Sequence, residues 1–406
     1  MKNLVKTMQN GIDIIHAIFL ITGTAVGAGM IALPVATSEA GVLGSIFLYV
    51  ICWFFSVCSG LFFVEGLAWM QKKGNLLSLS KEFLGWTGYF VVGFFYVLFF
   101  YSLLIVYISG SSSIIQSALP SIFPAWLAPA VISIIIAHVV YLGMRGVSRV
   151  NLHLMLGLIT TFIGFLWVGS EEFKFEFLYK GSIVQSLSAI PLVFTAFTYQ
   201  GIIPSIYYFL ERDKQRTKIC IWIGATIPLV GYILWDTLIK GVIPLHGPDS
   251  LGEAKLLGQS LMEPLSYLLP GSSIEILGIW FAFFALVTSF LGVTLSLVDF
   301  LYDALEWDDT TSNRTLIILL VTIPPTLVAI INPNMFLFLI GAIGALFCVV
   351  LFSLVPILIV AKGKYVHGYE SGSRLLTHWA PLILFFILCF LVIFFELNDL
   401  ATSFFL

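Results

Sequence analysis

Charge is nearly missing from this chain. Of 406 residues only 10% are charged, 19 basic and 22 acidic, while 59% are hydrophobic and the mean hydropathy is +1.04. A soluble domain carries roughly 25% charged residues, so most of this surface must face lipid or other helices. No basic tail or cluster offers itself to nucleic acid, and a net charge of −3 adds nothing in that direction. Cysteine is sparse as well. Cys52, Cys58, Cys220, Cys348 and Cys389 lie in or beside apolar runs with no C-x-x-C pair, which leaves them as small apolar fillers. The absence of a G-x-x-x-x-G-K-[ST] run excludes an ATP-driven pump of the phosphate-loop type. Six histidines without metal-ligand spacing, and no G-x-S-x-G elbow, argue against an enzyme, and no metal or cofactor is expected. Strand-like alternation does not recur, which excludes an outer-membrane barrel. No repeated ring of charge marks a channel filter.

What the chain has instead is long apolar runs. A span needs about 20 apolar residues to cross a hydrocarbon core of ~30 Å. Eleven segments meet that need, at about 12–37, 43–70, 87–110, 126–143, 150–169, 183–208, 217–241, 274–302, 315–331, 336–361 and 377–397. The first run continues past any short apolar core without a cleavage site, so it reads as a retained helix and not a signal peptide. With the N-terminus in the cytoplasm, 15 basic residues fall inside and four (Lys174, Lys180, Lys240, Lys255) outside. That asymmetry is the positive-inside pattern, and it places the C-terminus outside. The long connector 242–273 is Pro- and Gly-rich, with room for a short surface helix between Gly252 and Leu269.

The first segment is interrupted. Gly23-Thr24-Ala25-Val26-Gly27-Ala28-Gly29-Met30-Ile31-Ala32-Leu33-Pro34 is a poor helix, since Gly costs about 1 kcal/mol and Pro about 3 against Ala. Unwound backbone survives at membrane depth only where protein or a water-filled cavity satisfies it. The sixth segment is interrupted too, through Pro191, Thr195-Ala196-Phe197-Thr198-Tyr199-Gln200-Gly201 and Pro204. Pro34 and Pro204 lie 170 residues apart, about five helices. An odd number inverts the second copy, and paired interruptions in an inverted repeat point to the binding site of a secondary transporter. The expected architecture is all-α, with repeats at 12–169 and 183–361 and an extra helix at 377–397.

The stretch 23–34 closely resembles the first-helix pattern of the aromatic amino acid permeases. Tyr101 and Tyr107-Ile108-Ser109-Gly110, and Leu187-Ser188-Ala189-Ile190-Pro191 with Gly201 and Pro204-Ser205, are similar too. The resemblance covers nearly the whole chain. It implies the amino acid–polyamine–organocation fold, like the leucine transporter, and proton-coupled import across the bacterial inner membrane. It favours tyrosine as substrate, with tryptophan, small hydroxy amino acids or a non-transporting sensor as alternatives. One position departs from the family pattern: Gln200 stands where histidine is usual, and Gln does not titrate near neutrality.

The candidate site residues follow. Amides near Gly27, Ala28 and Gly29 suit a substrate carboxylate, and carbonyls near Thr22, Gly23 and Thr24 suit an ammonium. The competing reading makes Gly23-x-x-x-Gly27 a helix-packing face. Phe197 and Tyr199 can stack on an aromatic ring, or merely fill space. Thr198, Gln200 and Gly201 are placed in the same cavity, with Tyr101 and Tyr107 as a lid or carboxylate donors. Tyr107 is alternatively an interfacial anchor. The hydroxyls Thr288, Ser289, Thr294 and Ser296 read as helix–helix glue or as a sodium site. Glu65, Asp236 and Asp299 are expected to be solvated at span ends. His138 and His16 are no stronger, and no proton carrier is named.

Overall fold

The computed structural model describes residues 2–118, 124, 126–178, 181–182, 187, 189–257, 261–268, 272–332, 344–371 and 377–405. Among these, eight helices are long and apolar enough to cross a membrane, and a ninth span forms if one bent pair is counted together. That pair is α1 (Lys2–Ala25) and α2 (Ala28–Ala36), which meet at 47°. The long helices are α3 (Gly41–Trp69), α4 (Leu76–Ala118), α6 (Gly143–Gly169), α9 (Lys214–Val242), α12 (Ser273–Leu305) and α13 (Thr311–Ile331), followed by the tenth and eleventh segments. The tenth contains α14 (Gly344–Val349), a π turn at Val350–Leu354 and α15 (Val355–Tyr365). The eleventh is α16 (Trp379–Phe405).

The two remaining segments take other forms. The fourth is α5 (Leu127–Tyr141), apolar but only 15 residues long. The sixth is two seven-residue helices, α7 (Ile190–Ala196) and α8 (Ile203–Phe209), on either side of a break. The start of the sixth segment (183–186 and Ser188), the start of the tenth (336–343) and Lys180 lie outside the described residues. The connector after α9 holds two short helices, α10 (Leu251–Leu257) and α11 (Met262–Leu268), where one was expected.

Local chemistry sets several of these ends. Asp213 caps α9 by accepting from the backbone N–H groups of Gln215 and Arg216, both at 3.0 Å, and Ser272 caps α12 through Glu275 N–H at 3.2 Å. Such side-chain oxygens satisfy donors that the first helical turn leaves open. Pro34 sits inside α2, while Pro191 and Pro204 open α7 and α8, where a missing N–H costs least. At 43 residues α4 is longer than any bilayer requires. Gly85 divides it with a positive φ of 75°, a conformation that glycine adopts without a Cβ penalty.

The helices form two groups. One packs α1 and α3 on α9, with α2 and α3 against α7; the other packs α4 and α6 on α12, with α13 against α4 and α5. The breaks of α1/α2 and α7/α8 lie in the first group and face α4 and α12 of the second.

Two of the expected solvated carboxylates are buried and paired instead. Asp236 is 1% exposed and bonded to Lys240, itself 4% exposed, at 2.9 Å. Lys240, expected in the outer loop, also donates to the Thr37 carbonyl at 2.9 Å and to Ser45 Oγ at 2.5 Å. Glu65, 1% exposed, takes Lys214 and Lys218 as partners, the latter at 2.9 Å. A buried ion survives in low dielectric when a counter-ion and hydrogen bonds surround it, and both clusters tie α9 to α3. His138 is exposed on α5 and His16 is half-buried on α1.

Candidate functional site

The first break is held by an excess of acceptors. Gly27 has φ −126° and ψ −147°, so the helix stops at Ala25 and restarts at Ala28 without a side-chain cap. Turn bonds partly close the gap, from Val26 N–H to Thr22 O (2.8 Å) and from Gly27 N–H to Ala25 O (2.9 Å). Ser289 of α12 reaches across with one hydroxyl. Its oxygen lies 2.8 Å from Gly23 O and 3.2 Å from both Thr24 O and Val26 O. Of the four hydroxyls singled out on α12, Thr288, Thr294 and Ser296 bond back to their own helix. Only Ser289 reaches α1 in this way.

The second break is tied to the first. The Tyr232 hydroxyl of α9 sits 2.8 Å from Ala25 O and 2.8 Å from Ala196 O, so one phenol stands between the two unwound segments. The contact is close elsewhere too. A Cβ on Gly29 would lie 2.7 Å from Ala196 Cβ and 2.9 Å from its Cα. A Cβ on Gly27 would lie 2.6 Å from Ser289 Oγ and 3.2 Å from the Tyr107 hydroxyl. Only glycine fits at these positions without a shift.

Between the breaks lies a cavity of about 160 Å³. Its walls are Thr24, Ala25, Gly27 and Gly29 from the first break, and Thr195, Ala196, Thr198, Tyr199 and Gly201 from the second. Phe99, Phe100 and Tyr107 come from α4, Val293 and Ser296 from α12, Phe352 from the π turn, and Glu396 from α16. A void of roughly 150 Å³ accepts a benzene ring, so this one has the size and the aromatic lining for an aryl side chain. Phe100 is backed by Tyr96 and Phe300 in a near-parallel stack, with centroids 4.1 and 3.9 Å from Tyr96. That stack makes one wall stiff.

The structure distributes the sequence candidates unevenly. Thr24, Gly27, Gly29, Tyr107, Thr198, Tyr199 and Gly201 line the cavity. Ala28 occupies the first turn of α2. Gly23 does not line it; a Cβ there would meet Asn151, Met155 and Thr288, so this glycine serves helix packing. Phe197 faces Tyr232 edge-on at 4.9 Å, and its carbonyl accepts Ser56 Oγ at 2.6 Å. Gln200 is fully buried and turned toward α3, where Nε2 donates to Ser56 Oγ at 3.0 Å while Oε1 accepts Tyr199 N–H at 3.0 Å. It braces the break and does not line the cavity. Tyr101 donates to Leu320 O of α13 at 2.8 Å, away from the cavity. Sequence reasoning missed Tyr232, Ser56, the Phe99–Phe100 wall and Glu396, whose buried carboxylate was visible only as one acidic residue near the end of the last apolar run.

Known proteins share both the sequence and the fold. The chain is 31% identical over 342 residues to a tryptophan-specific transport protein of Pseudomonas aeruginosa, covering 80% of each chain. It is 28% identical to tyrosine-specific transport system 1 of Haemophilus influenzae, over 86% of this chain and 88% of that one. A low affinity tryptophan permease of Escherichia coli is 26% identical, over 89% of each. The crystal structure of MhsT in complex with L-phenylalanine superposes with a TM-score of 0.65 at 16% identity, covering 94% of this chain and 97% of that one, which shows a common fold. The match to the family model runs over residues 10–396, and this multi-pass membrane protein belongs to the tryptophan/tyrosine permease family.

Proposed function

We propose that the chain is a secondary active transporter importing tyrosine or tryptophan with protons, by alternating access across a bacterial inner membrane. Eleven spans with the N-terminus in the cytoplasm, in an inverted five-plus-five repeat plus one helix, fit the basic-residue asymmetry. The observation that carries the reading is the meeting of two helix breaks around a small cavity walled by Phe99, Phe100, Tyr107 and Tyr199. In it the α2 N-terminus faces the substrate carboxylate, the carbonyls of Thr24, Ala25 and Ala196 face the ammonium, and the aryl group lies against Phe100. The names of the relatives support both substrates.

Uptake of labelled tyrosine and tryptophan into proteoliposomes tests this. Accumulation under an inward proton gradient, blocked by aromatic competitors and not by serine, is expected. Inhibition by serine points to a small hydroxy substrate, and binding without uptake points to a sensor. A sodium-driven reading has its own observation, since the Ser289 oxygen with three carbonyls around it is an all-oxygen cluster of the type hard cations prefer. Uptake driven by a sodium gradient alone selects that reading.

The two tyrosines of α4 separate cleanly. Tyr107→Phe removes a hydroxyl in the wall and is expected to raise KM about tenfold, the worth of a hydrogen bond of roughly 1.5 kcal/mol. Tyr101→Phe is expected to stay within about threefold of the parent. Saturation kinetics on both variants check this, and equal effects would refute the placement of Tyr107.

A further inference from the structure

A second cavity, of about 1170 Å³, opens at the end of the molecule that carries Lys72, Lys73 and Lys81. Its inner surface includes Pro204, Ser205 and Tyr208 of α8 with Asp299 and Asp303 of α12. The central cavity is lined by Gly201 and Ser296. On each strand of the wall the two cavities are thus separated by about one helical turn, or ~5.4 Å. Asp299 stands in that partition, half-buried, accepting the Ser205 hydroxyl. The bond crosses from α8, in the group that carries the breaks, to α12 in the other group, so it lies where the two groups must part.

Its neighbour Asp303 is otherwise engaged. It caps the start of α4, accepting Asn75 N–H at 3.1 Å and Ser78 N–H at 3.0 Å. The charged groups acting on Asp299 include Lys73 of the α3–α4 connector and Asp309 beyond α12, and Lys72, Lys81, Glu82, Glu306 and Asp308 line the same cavity. Tyr96 of α4 lies within electrostatic reach of both Asp299 and Asp303, while Tyr208 and Tyr302 line the same cavity. Asp299 therefore has a hydroxyl as its direct partner and a solvated lysine farther off. An intramembrane carboxylate placed this way is suited to exchange a proton.

We propose that Asp299 carries the coupled proton, with its bond to Ser205 acting as the inner latch; this rests on the reading of the chain as a proton symporter. With the central cavity open outward, the carboxylate takes a proton from hydronium arriving past Ser296, forming an O–H bond and releasing water. With the second cavity open to the cytoplasm, that O–H bond breaks, the proton passes to water as hydronium, and the carboxylate again accepts Ser205. No electrons change hands, and one proton crosses per cycle.

The test uses the full-length protein in proteoliposomes with an internal pH dye. Asp299→Asn is expected to retain tyrosine or tryptophan counterflow within about threefold, while gradient-driven accumulation falls about tenfold or more, the scale of a lost coupling term. Substrate-induced proton entry should vanish in that variant, and Asp299→Glu should restore part of it. Asp299→Asn with undiminished proton entry overturns the proposal, as does loss of coupling in Glu396→Gln in its place. If Asp299→Asn does not fold, Ser205→Ala decides, because it keeps the carboxylate and must shift the pH dependence of uptake. An unshifted profile overturns the latch. Parent protein that accumulates neither substrate under a proton gradient refutes the underlying function and is thereby distinguished from failure of this assignment.

Discussion

Valine in place of Gly29 is expected to abolish uptake, with a fall of about 100-fold or more, the scale that an ångström of misplacement costs at a reacting centre. A Cβ at this position already lies 2.9 Å from a backbone atom of the opposite break, Ala196 Cα. Rotating a side chain cannot relieve that contact; the two breaks must move apart. Overpacking of this kind costs about 1–3 kcal/mol, which a large helical protein survives. The variant should therefore purify as a folded protein that no longer gains thermal stability from tyrosine or tryptophan. Uptake above a third of the parent rate would show that the breaks are not pressed together in the working molecule.

The largest effect on stability is expected at Asp236. Replacing it by alanine leaves the Lys240 ammonium buried beside Thr37 and Ser45 without its counter-ion. Removing one partner of a buried pair costs about 3–5 kcal/mol, whereas an apolar pair of similar volume is often neutral or better. Asp236→Leu combined with Lys240→Met should accordingly recover most of what Asp236→Ala loses. Equilibrium unfolding in detergent reads both values. A loss below about 1 kcal/mol for the single variant would mean that water reaches Lys240.

The sequence displayed the breaks and hid their partners, for physical reasons. Gly27, Gly29, Pro191 and Pro204 carry their information locally, because a glycine or proline alters the backbone wherever it stands. Tyr232 and Ser56 act across 207 and 141 residues of chain, and nothing in either neighbourhood shows the far end. Gln200 shows a second limit. The sequence places its side chain in the cavity together with Thr198 and Gly201, yet Tyr199 has φ −137° and ψ −1° and a tight 3-10 turn begins at Gln200. Once the backbone leaves the helix, the 100° step between side chains no longer holds, and Gln200 turns to Ser56 while Tyr199 keeps the cavity. The sequence places Asp236 as a solvated carboxylate at the outer end of its span and Lys240 among the four outside basic residues. Their spacing of four residues on one helix face was the available signal.

Hydrogen is in short supply at the junction of the two breaks. Five carbonyls, those of Gly23, Thr24, Val26, Ala25 and Ala196, turn to the hydroxyls of Ser289 and Tyr232, and each hydroxyl has a single hydrogen to offer. Gly27 N–H adds one more, to Ala25. An ammonium brings three. On the proposed function, an amino acid's ammonium would supply the missing hydrogens to the carbonyls of Thr24, Ala25 and Ala196, which border the cavity, and the α-amino group would be selected as much as the ring. Deaminated analogues such as 3-arylpropionates, which keep ring and carboxylate, should compete roughly 10⁴-fold less well, as happens when a site built for an N–H meets a ligand without one.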